Sequence, residues 1–291
     1  MAILVGPDTR VIVQGMTGRA GTFYSDLAIS YGTEVVGGVR PGKGGGRHLR
    51  LPLFDTVADA IRETDANATM IMVPAHKAAE AMMEAIEAEV PLLVCVTERI
   101  PVLDMVRVKH ALKGSKSRLV GANSQGVLAP GTCKIGVMST ADARPGPIGI
   151  VSRSASLTSE VVAQTTNAGL GQSTTVGIGG DPIHGTGFVD CLELFMADPD
   201  TEAVVLIGEI GGAEEEQVAA YLAENGVKKP VVALVVGRHA MPQRRMGHAG
   251  TLSVFGTGTA EGKIAALKSA GALIAENVEE VSALLKQALG K

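Results

Sequence analysis

What constrains this chain most is one repeated alternation. A short apolar run ends in glycine or a small polar residue, and a helix-length stretch follows. The runs include Arg10-Val11-Ile12-Val13-Gln14-Gly15, Glu34-Val35-Val36-Gly37-Gly38-Val39, Ala68-Thr69-Met70-Ile71-Met72-Val73-Pro74 and Pro91-Leu92-Leu93-Val94-Cys95-Val96-Thr97-Glu98. Further along come Ile148-Gly149-Ile150-Val151-Ser152, Ala203-Val204-Val205-Leu206-Ile207-Gly208-Glu209 and Pro230-Val231-Val232-Ala233-Leu234-Val235-Val236. Nearly continuous apolar runs belong to strands buried on both faces, and strands alternating with helices at these lengths imply a parallel, doubly wound sheet. A length of 291 residues suits about two such domains. With no Trp and 3% aromatics, the core must be aliphatic, and 37 glycines fit many tight turns between strands and helices.

Composition also excludes function classes. A net charge of -4 argues against a nucleic-acid binder, which would carry a basic surface. No apolar run is long enough to span a bilayer, and Met1-Ala2-Ile3-Leu4-Val5-Gly6-Pro7 does not read as a signal peptide. No membrane partner and a reducing, cytoplasmic setting are therefore expected. Cys95, Cys133 and Cys191 lack metal-ligand spacing; Cys95 and Cys191 sit in apolar runs that suit a core, so no metal is expected.

In the first half, Gly15-Met16-Thr17-Gly18-Arg19-Ala20-Gly21-Thr22 carries a glycine at every third position between a strand and a helix. Such a turn lays backbone N–H groups and a helix N-terminus against phosphate. It departs from the Gly-x-Gly-x-x-Gly spacing, and a tight turn without a ligand fits it equally well. In an NAD-binding unit the second strand would end in an acidic residue for the ribose hydroxyls. Here it runs into Arg40-Pro41-Gly42-Lys43-Gly44-Gly45-Gly46-Arg47, which suits NADP or coenzyme A better than NAD, or is a solvated basic loop. Thr97 and Glu98 close the fourth strand, and Ala122-Asn123-Ser124-Gln125-Gly126 is a polar turn after a short strand, Arg118-Leu119-Val120-Gly121.

Ala129-Pro130-Gly131 and Arg144-Pro145-Gly146-Pro147 bracket a turn-rich connector. We therefore expect a Rossmann-like domain over 1–128, a connector over 129–147 and a flavodoxin-like doubly wound domain over 148–291. The second domain offers another helix start at Ser152-Arg153-Ser154-Ala155-Ser156, where Ser154 reads as an ordinary N-cap or as an anion stop. The acidic run Glu214-Glu215-Glu216 in a first helical turn is explained by the helix dipole.

After the strand ending at Val236 comes Arg244-Arg245-Met246-Gly247-His248-Ala249-Gly250. Small neighbours leave the His248 imidazole open to a bulky anion, and loops after parallel strands carry chemistry in α/β proteins. Glu209 ends the preceding strand. A carboxylate on one ring nitrogen fixes the tautomer and leaves the other nitrogen as nucleophile. A surface-loop histidine and a carboxylate capping the next helix are the alternatives.

Taken together, Gln14-Gly15-Met16-Thr17-Gly18, Pro41-Gly42-Lys43-Gly44-Gly45, Ile100-Pro101 with Asp104-Met105, Val176-Gly177-Ile178-Gly179-Gly180-Asp181-Pro182, Ile207-Gly208-Glu209-Ile210-Gly211-Gly212 and Arg245-Met246-Gly247-His248-Ala249-Gly250 resemble the succinyl-CoA synthetase α subunits and their relatives, the nucleoside-diphosphate-forming acid–thiol ligases. The resemblance covers nearly the whole chain. It implies a phosphorylated histidine at His248, with Glu209 beside it. It implies coenzyme A on Thr17, Gly18, Arg19, Ala20, Gly21, Lys43, Val73, Pro74, Thr97, Glu98 and Asn123. The acid and phosphate are expected at Ser124, Gln125, Ser154, Ala155 and Ser156. It also implies an ATP-grasp β subunit, in an αβ or α2β2 assembly, that binds ATP or GTP with Mg2+.

Three segments depart from the family pattern: Gly121-Ala122-Asn123-Ser124-Gln125-Gly126, Ser152-Arg153-Ser154-Ala155-Ser156-Leu157-Thr158-Ser159-Glu160, and Arg99 in place of a glycine. Ile86-Glu87-Ala88-Glu89-Val90-Pro91 and Ser117-Arg118-Leu119-Val120-Gly121 resemble malate–CoA ligase small subunits. The acid is expected among succinate, malate and other small polar carboxylates. Two other readings stand beside the ligase: a non-catalytic coenzyme A-binding protein and an NAD(P)-dependent oxidoreductase.

Overall fold

The computed structural model describes residues 2–240, 251 and 258–291. His248 and its glycine neighbours lie outside the described residues. The elements in chain order are β1 (Arg10–Gln14), α1 (Arg19–Tyr31), β2 (Glu34–Val39), β3 (Arg47–His48), β4 (Leu51–Phe54), α2 (Val57–Thr64), β5 (Ala68–Ile71) and α3 (Ala75–Glu87). Next come β6 (Leu92–Cys95), α4 (Val102–Leu112), β7 (Arg118–Val120), β8 (Gly126–Ala129) and β9 (Cys133–Gly136). The chain continues through β10 (Pro145–Ser152), α5 (Ala155–Asn167), β11 (Gln172–Gly177), α6 (Phe188–Ala197), β12 (Ala203–Glu209), α7 (Glu214–Asn225), β13 (Val231–Val236), α8 (Ala260–Ser269), β14 (Leu273–Ala275) and α9 (Val278–Leu289).

The chain divides into two compact units. The N-terminal unit comprises Leu4–Met138 together with Ile183–Thr186, and the C-terminal unit takes the remainder. The first unit is thus discontinuous, which no local sequence pattern announces.

In the N-terminal unit the sheet order is β3-β4-β2-β1-β5-β6-β7. All its pairings are parallel except the short β3–β4 hairpin. From β4 to β7 this is the Rossmann order, with its switch point between β1 and β5. β1 and β5 are buried because apolar side chains leave both faces: Val11, Ile12, Val13, Met70 and Ile71 are nearly inaccessible. Helices α2, α3 and α4 cover one side through Val57, Ala60, Ala78, Met82, Ala85, Met105 and Val108. α2 starts where Thr56 accepts the Asp59 amide, and it ends at Asp65 in the left-handed region.

An antiparallel hairpin, β8–β9, runs across the start of the segment expected as a connector. Pro130-Gly131 marks the hairpin's own turn: Gly131 takes φ +77°, and the Thr132 amide donates to the Ala129 carbonyl at 3.0 Å. The base of the hairpin needs glycine, because a Cβ on Gly126 would lie 1.9 Å from the Ile135 carbonyl oxygen.

In the C-terminal unit the parallel strands run in the order β14-β13-β12-β10-β11. This is the flavodoxin-like arrangement, and its switch point lies between β10 and β12. Every residue of β12 is buried. Ser154, Thr259 and Asn277 cap α5, α8 and α9 by accepting first-turn amides.

Candidate functional site

In the N-terminal unit the predicted coenzyme A residues gather at the carboxyl ends of the strands. β1 ends at Gln14, and Gly15 turns the chain with φ +87°. A Cβ there would sit 2.9 Å from the Met72 carbonyl oxygen, so glycine lets the ends of β1 and β5 close on each other. A Cβ on Gly21 would lie 2.1 Å from the Gly15 carbonyl oxygen, so α1 begins pressed against the turn. Gly18 is the N-cap of α1, contributes no side-chain cap, and is followed by no acid in the first turn. First-turn amides have no intrahelical acceptor, so this helix start is suited to an anion. Gly18, Arg19 and Ala20 are exposed, while Thr17 is half-buried.

The basic loop meets that turn. Arg40, in the place of a ribose-binding acid, donates to the Thr17 hydroxyl. Asp55 Oδ1 accepts the Lys43 and Gly44 amides at 2.9 and 2.8 Å, which fixes the loop and leaves the exposed Lys43 ammonium for a ligand. His48, which sequence reasoning did not single out, lies 2.8 Å from the Thr22 hydroxyl through Nε2.

The ends of β5, β6 and β7 are tied to one another. The Thr97 hydroxyl donates to the Val73 carbonyl at 2.7 Å, and the Asn123 amide donates to the Thr97 carbonyl at 2.9 Å. Thr97 thereby holds its neighbours in place. Pro74 starts α3, and exposed Glu98 pairs with Arg99 at 3.6 Å. Ser124 and Gln125 are buried: the Ser124 hydroxyl accepts the Gly126 amide at 2.8 Å, and the Gln125 carbonyl accepts the Val137 and Met138 amides. Both shape the entry to the β8–β9 hairpin.

In the C-terminal unit the switch point holds a buried charge cluster. Arg153 follows β10 and Glu209 ends β12, and their side chains are 6% and 7% exposed. Arg153 Nε lies 3.1 Å from Glu209 Oε1, and Nη1 lies 3.3 Å from Glu214 Oε2. A third contact runs from Nη2 to the Asp181 carbonyl at 3.5 Å. Burial holds the Glu214 carboxyl above its ordinary range, against the opposing pull of the Arg153 guanidinium.

The acidic run is therefore more than a set of dipole partners, which corrects the sequence reading. Glu214 reaches Arg153, and Glu215 turns inward to an ion pair with Lys263. A lysine inside the apolar pattern of α8 was the available signal.

Ser154 caps α5 by accepting the Leu157 amide at 3.4 Å, and its own amide donates to Ser152 Oγ at 3.0 Å. The ordinary-cap reading of Ser154 thus describes the structure, and a bond that long is weak. Ala155 and Ser156 are exposed in the first turn, which contains no acid. Glu209 stands in register with Val236 of β13, from which the chain continues toward His248. Among the described residues no group of His, Cys, Asp and Glu has metal-binding geometry.

The Rossmann unit and the flavodoxin-like unit coincide with the two matched domains of the class, coenzyme A-dependent ligases. A model of the CoA binding domain matches residues 7–99, and a model of the CoA-ligase family matches residues 151–273. The succinate–CoA ligase [ADP-forming] subunit alpha of Aquifex aeolicus is 51% identical over 97% of this chain and 92% of its own length. Subunit alpha 2 of the same enzyme from Archaeoglobus fulgidus is 48% identical over 99% of this chain and all of its own length.

The chain belongs to the family of ADP-forming succinate–CoA ligase α subunits. The fold is also that of ATP citrate lyase from Methanosaeta concilii in complex with (3S)-citryl-CoA, with a TM-score of 0.89 at 21% identity over 99% of this chain. The chain spans 50% of the length of that structure.

Proposed function

We propose that this chain is the α-type subunit of a carboxylate–CoA ligase that holds coenzyme A in its N-terminal unit and carries phosphoryl on His248. The observation that carries the first half is the uncapped, glycine-led start of α1 at the switch point, met by Arg40 of the basic loop that also carries the exposed Lys43. The diphosphate of coenzyme A meets the first-turn amides at Gly18, Arg19, Ala20 and Gly21, with Thr17 and Lys43 beside them. Val73, Pro74, Thr97, Glu98 and Asn123 line the rest of the strand ends.

The second half rests on Glu209. Its carboxylate ends β12 in register with the strand that leads to His248. A neutral imidazole, with an ordinary pKa of about 6.5, is already largely nucleophilic near pH 7. Glu209 therefore orients the ring and stabilises the charge that develops on it, and it need not remove a proton. Arg153 pairs with the Glu209 carboxylate at 3.1 Å in a buried place. The α5 start at Ser154, Ala155 and Ser156 holds phosphate oxygens once the weak Ser154 cap yields.

The nucleotide site belongs to an ATP-grasp β partner in an αβ or α2β2 assembly, which supplies ATP or GTP with Mg2+. The acid is a small dicarboxylate, succinate or its hydroxylated analogue malate. A site built to pair a hydroxyl rejects an acid lacking it, so the kcat/KM ratio of malate to succinate reads what the Asn123–Gln125 turn does.

The test is labelling of the assembled complex with γ-labelled ATP. An acid-labile protein phosphate is expected in wild type and absent in His248→Asn, which keeps coenzyme A binding but loses ligation. Glu209→Gln should label slowly. Ligase activity retained by His248→Asn above a few per cent would sink the phosphohistidine relay.

A further inference from the structure

Glu209 is the last residue of β12, and its backbone has a problem that the sheet does not solve. β10 pairs with β12 only as far as Ser152, opposite Ile207, and the Ile207 carbonyl accepts the Arg153 amide at 3.1 Å. Backbone groups two residues apart on a strand point the same way. The Glu209 amide therefore faces the side where β10 has already ended. The next amide, from Ile210, points to the other side and donates to the Val236 carbonyl.

The Glu209 amide finds its acceptor in Glu215 Oε1 at 2.9 Å. The other oxygen of Glu215 is ion-paired with the Lys263 ammonium, and Glu216 lies 3.5 Å from the same ammonium. The side chains of Glu215 and Lys263 are 1% and 0% exposed. Gly208 makes room for this arrangement: a Cβ there would stand 2.4 Å from Glu215 Oε1. Replacing a buried ion pair by well-packed apolar residues is often neutral or stabilising, so stability alone does not account for the pair. It links three elements at one point: the end of β12, the first turn of α7 and the interior of α8, the helix that follows the His248 segment in the chain.

We propose that Glu215 and Lys263 are positioning residues that fix Glu209 for the phosphoryl relay, acting through the Glu209 backbone amide. This rests on the reading of His248 as phosphoryl carrier and adds residues to it. Lys263 aims the Glu215 carboxylate, Glu215 holds the end of β12, and the Glu209 side chain inherits that placement.

Two double variants in the assembled complex separate this from a merely structural role. Glu215→Gln with Lys263→Met removes both charges but keeps a carbonyl acceptor for the Glu209 amide. Glu215→Met with Lys263→Met removes the charges and the acceptor together. Measured are the rate of protein phosphorylation from labelled ATP, kcat, the dissociation constant for coenzyme A, and Tm.

Positioning predicts that the Met–Met variant melts close to the Gln–Met variant and binds coenzyme A as wild type does. Its labelling and kcat fall roughly tenfold or more, the scale of loss that small misplacements of a reacting group produce. The Gln–Met variant recovers most of that rate. Equal labelling of the two double variants, or labelling that tracks Tm alone, overturns the proposal while wild-type labelling on His248 leaves the relay intact. A wild-type complex that takes no label overturns the relay and the positioning role together. Should the Met–Met variant not fold, Gly208→Ala presses on the same carboxylate, and unchanged labelling there also overturns the proposal.

Discussion

Arg153 draws two carboxylates together at the switch point of the C-terminal unit. It meets Glu209, Glu214 and the Asp181 carbonyl while almost fully enclosed. Removing one partner from a buried pair leaves the other charge uncompensated, at a cost of about 3–5 kcal/mol. Arg153→Met should therefore lower the unfolding free energy by roughly that amount, measured by urea titration. Glu214 gives a pH-dependent check. Its folded-state pKa lies above the ordinary value, so its contribution favours folding below the carboxylate range and is lost as pH rises through the folded pKa. As pH rises through the folded pKa, Glu214→Gln should consequently gain stability relative to wild type; a difference that stays flat or reverses would contradict the raised pKa. At the other site, Lys43→Ala should weaken coenzyme A binding in calorimetry without moving Tm, because Lys43 is exposed and the loop is fixed by its backbone amides to Asp55.

Among the elements, the α1 start shows how far the glycine spacing was informative. The sequence pattern marks a phosphate-type turn, and the geometry explains each glycine separately: Gly15 for its positive φ, Gly21 for its contact with the turn. Gly21→Ala puts a methyl group where the Gly15 carbonyl oxygen lies. Overpacking of that kind costs about 1–3 kcal/mol, and here it also shifts the helix start. We expect a lower Tm together with weakened coenzyme A binding; unchanged affinity would mean the α1 amides do not hold the ligand. Apolar elements were legible: β12 and β13 follow their aliphatic runs. The β8–β9 hairpin was not, because Pro130-Gly131 reads equally as a linker and as a two-strand turn, and only the partner strand distinguishes them. Glu215 was misread for a related reason. Three consecutive glutamates on a helix spread over its circumference, so one must face inward, but which one finds a lysine depends on a helix far along the chain.

For the whole molecule, the first half matches a CoA binding domain and the second a CoA-ligase domain. The purified chain with ATP, Mg2+, coenzyme A and either acid should form no acyl-CoA until the β partner is added, measured as thioester formation. Robust synthesis by the chain alone would place the nucleotide site here. The doubly wound character of both units was legible, since nearly continuous apolar runs alternate with helix-length stretches along the chain. The membership of residues 183–186 in the N-terminal unit was not, because it depends on four backbone and side-chain contacts rather than on any pattern.

Those four contacts bear on how the chain leaves the ribosome. β7 is an edge strand, and the carbonyls of Leu119 within it and Gly121 just after it accept the Thr186 and Gly185 amides at 2.6 and 2.7 Å. Lys109 adds bonds to the His184 and Gly185 carbonyls at 2.8 and 2.9 Å. A nascent chain that has emerged through Met138 has every strand of its first sheet and still lacks the strip that covers this edge. At about 5–20 residues per second, the wait until residue 186 emerges is of the order of seconds. An open edge is a template for pairing with another chain, so those seconds are when two growing copies are most apt to tangle.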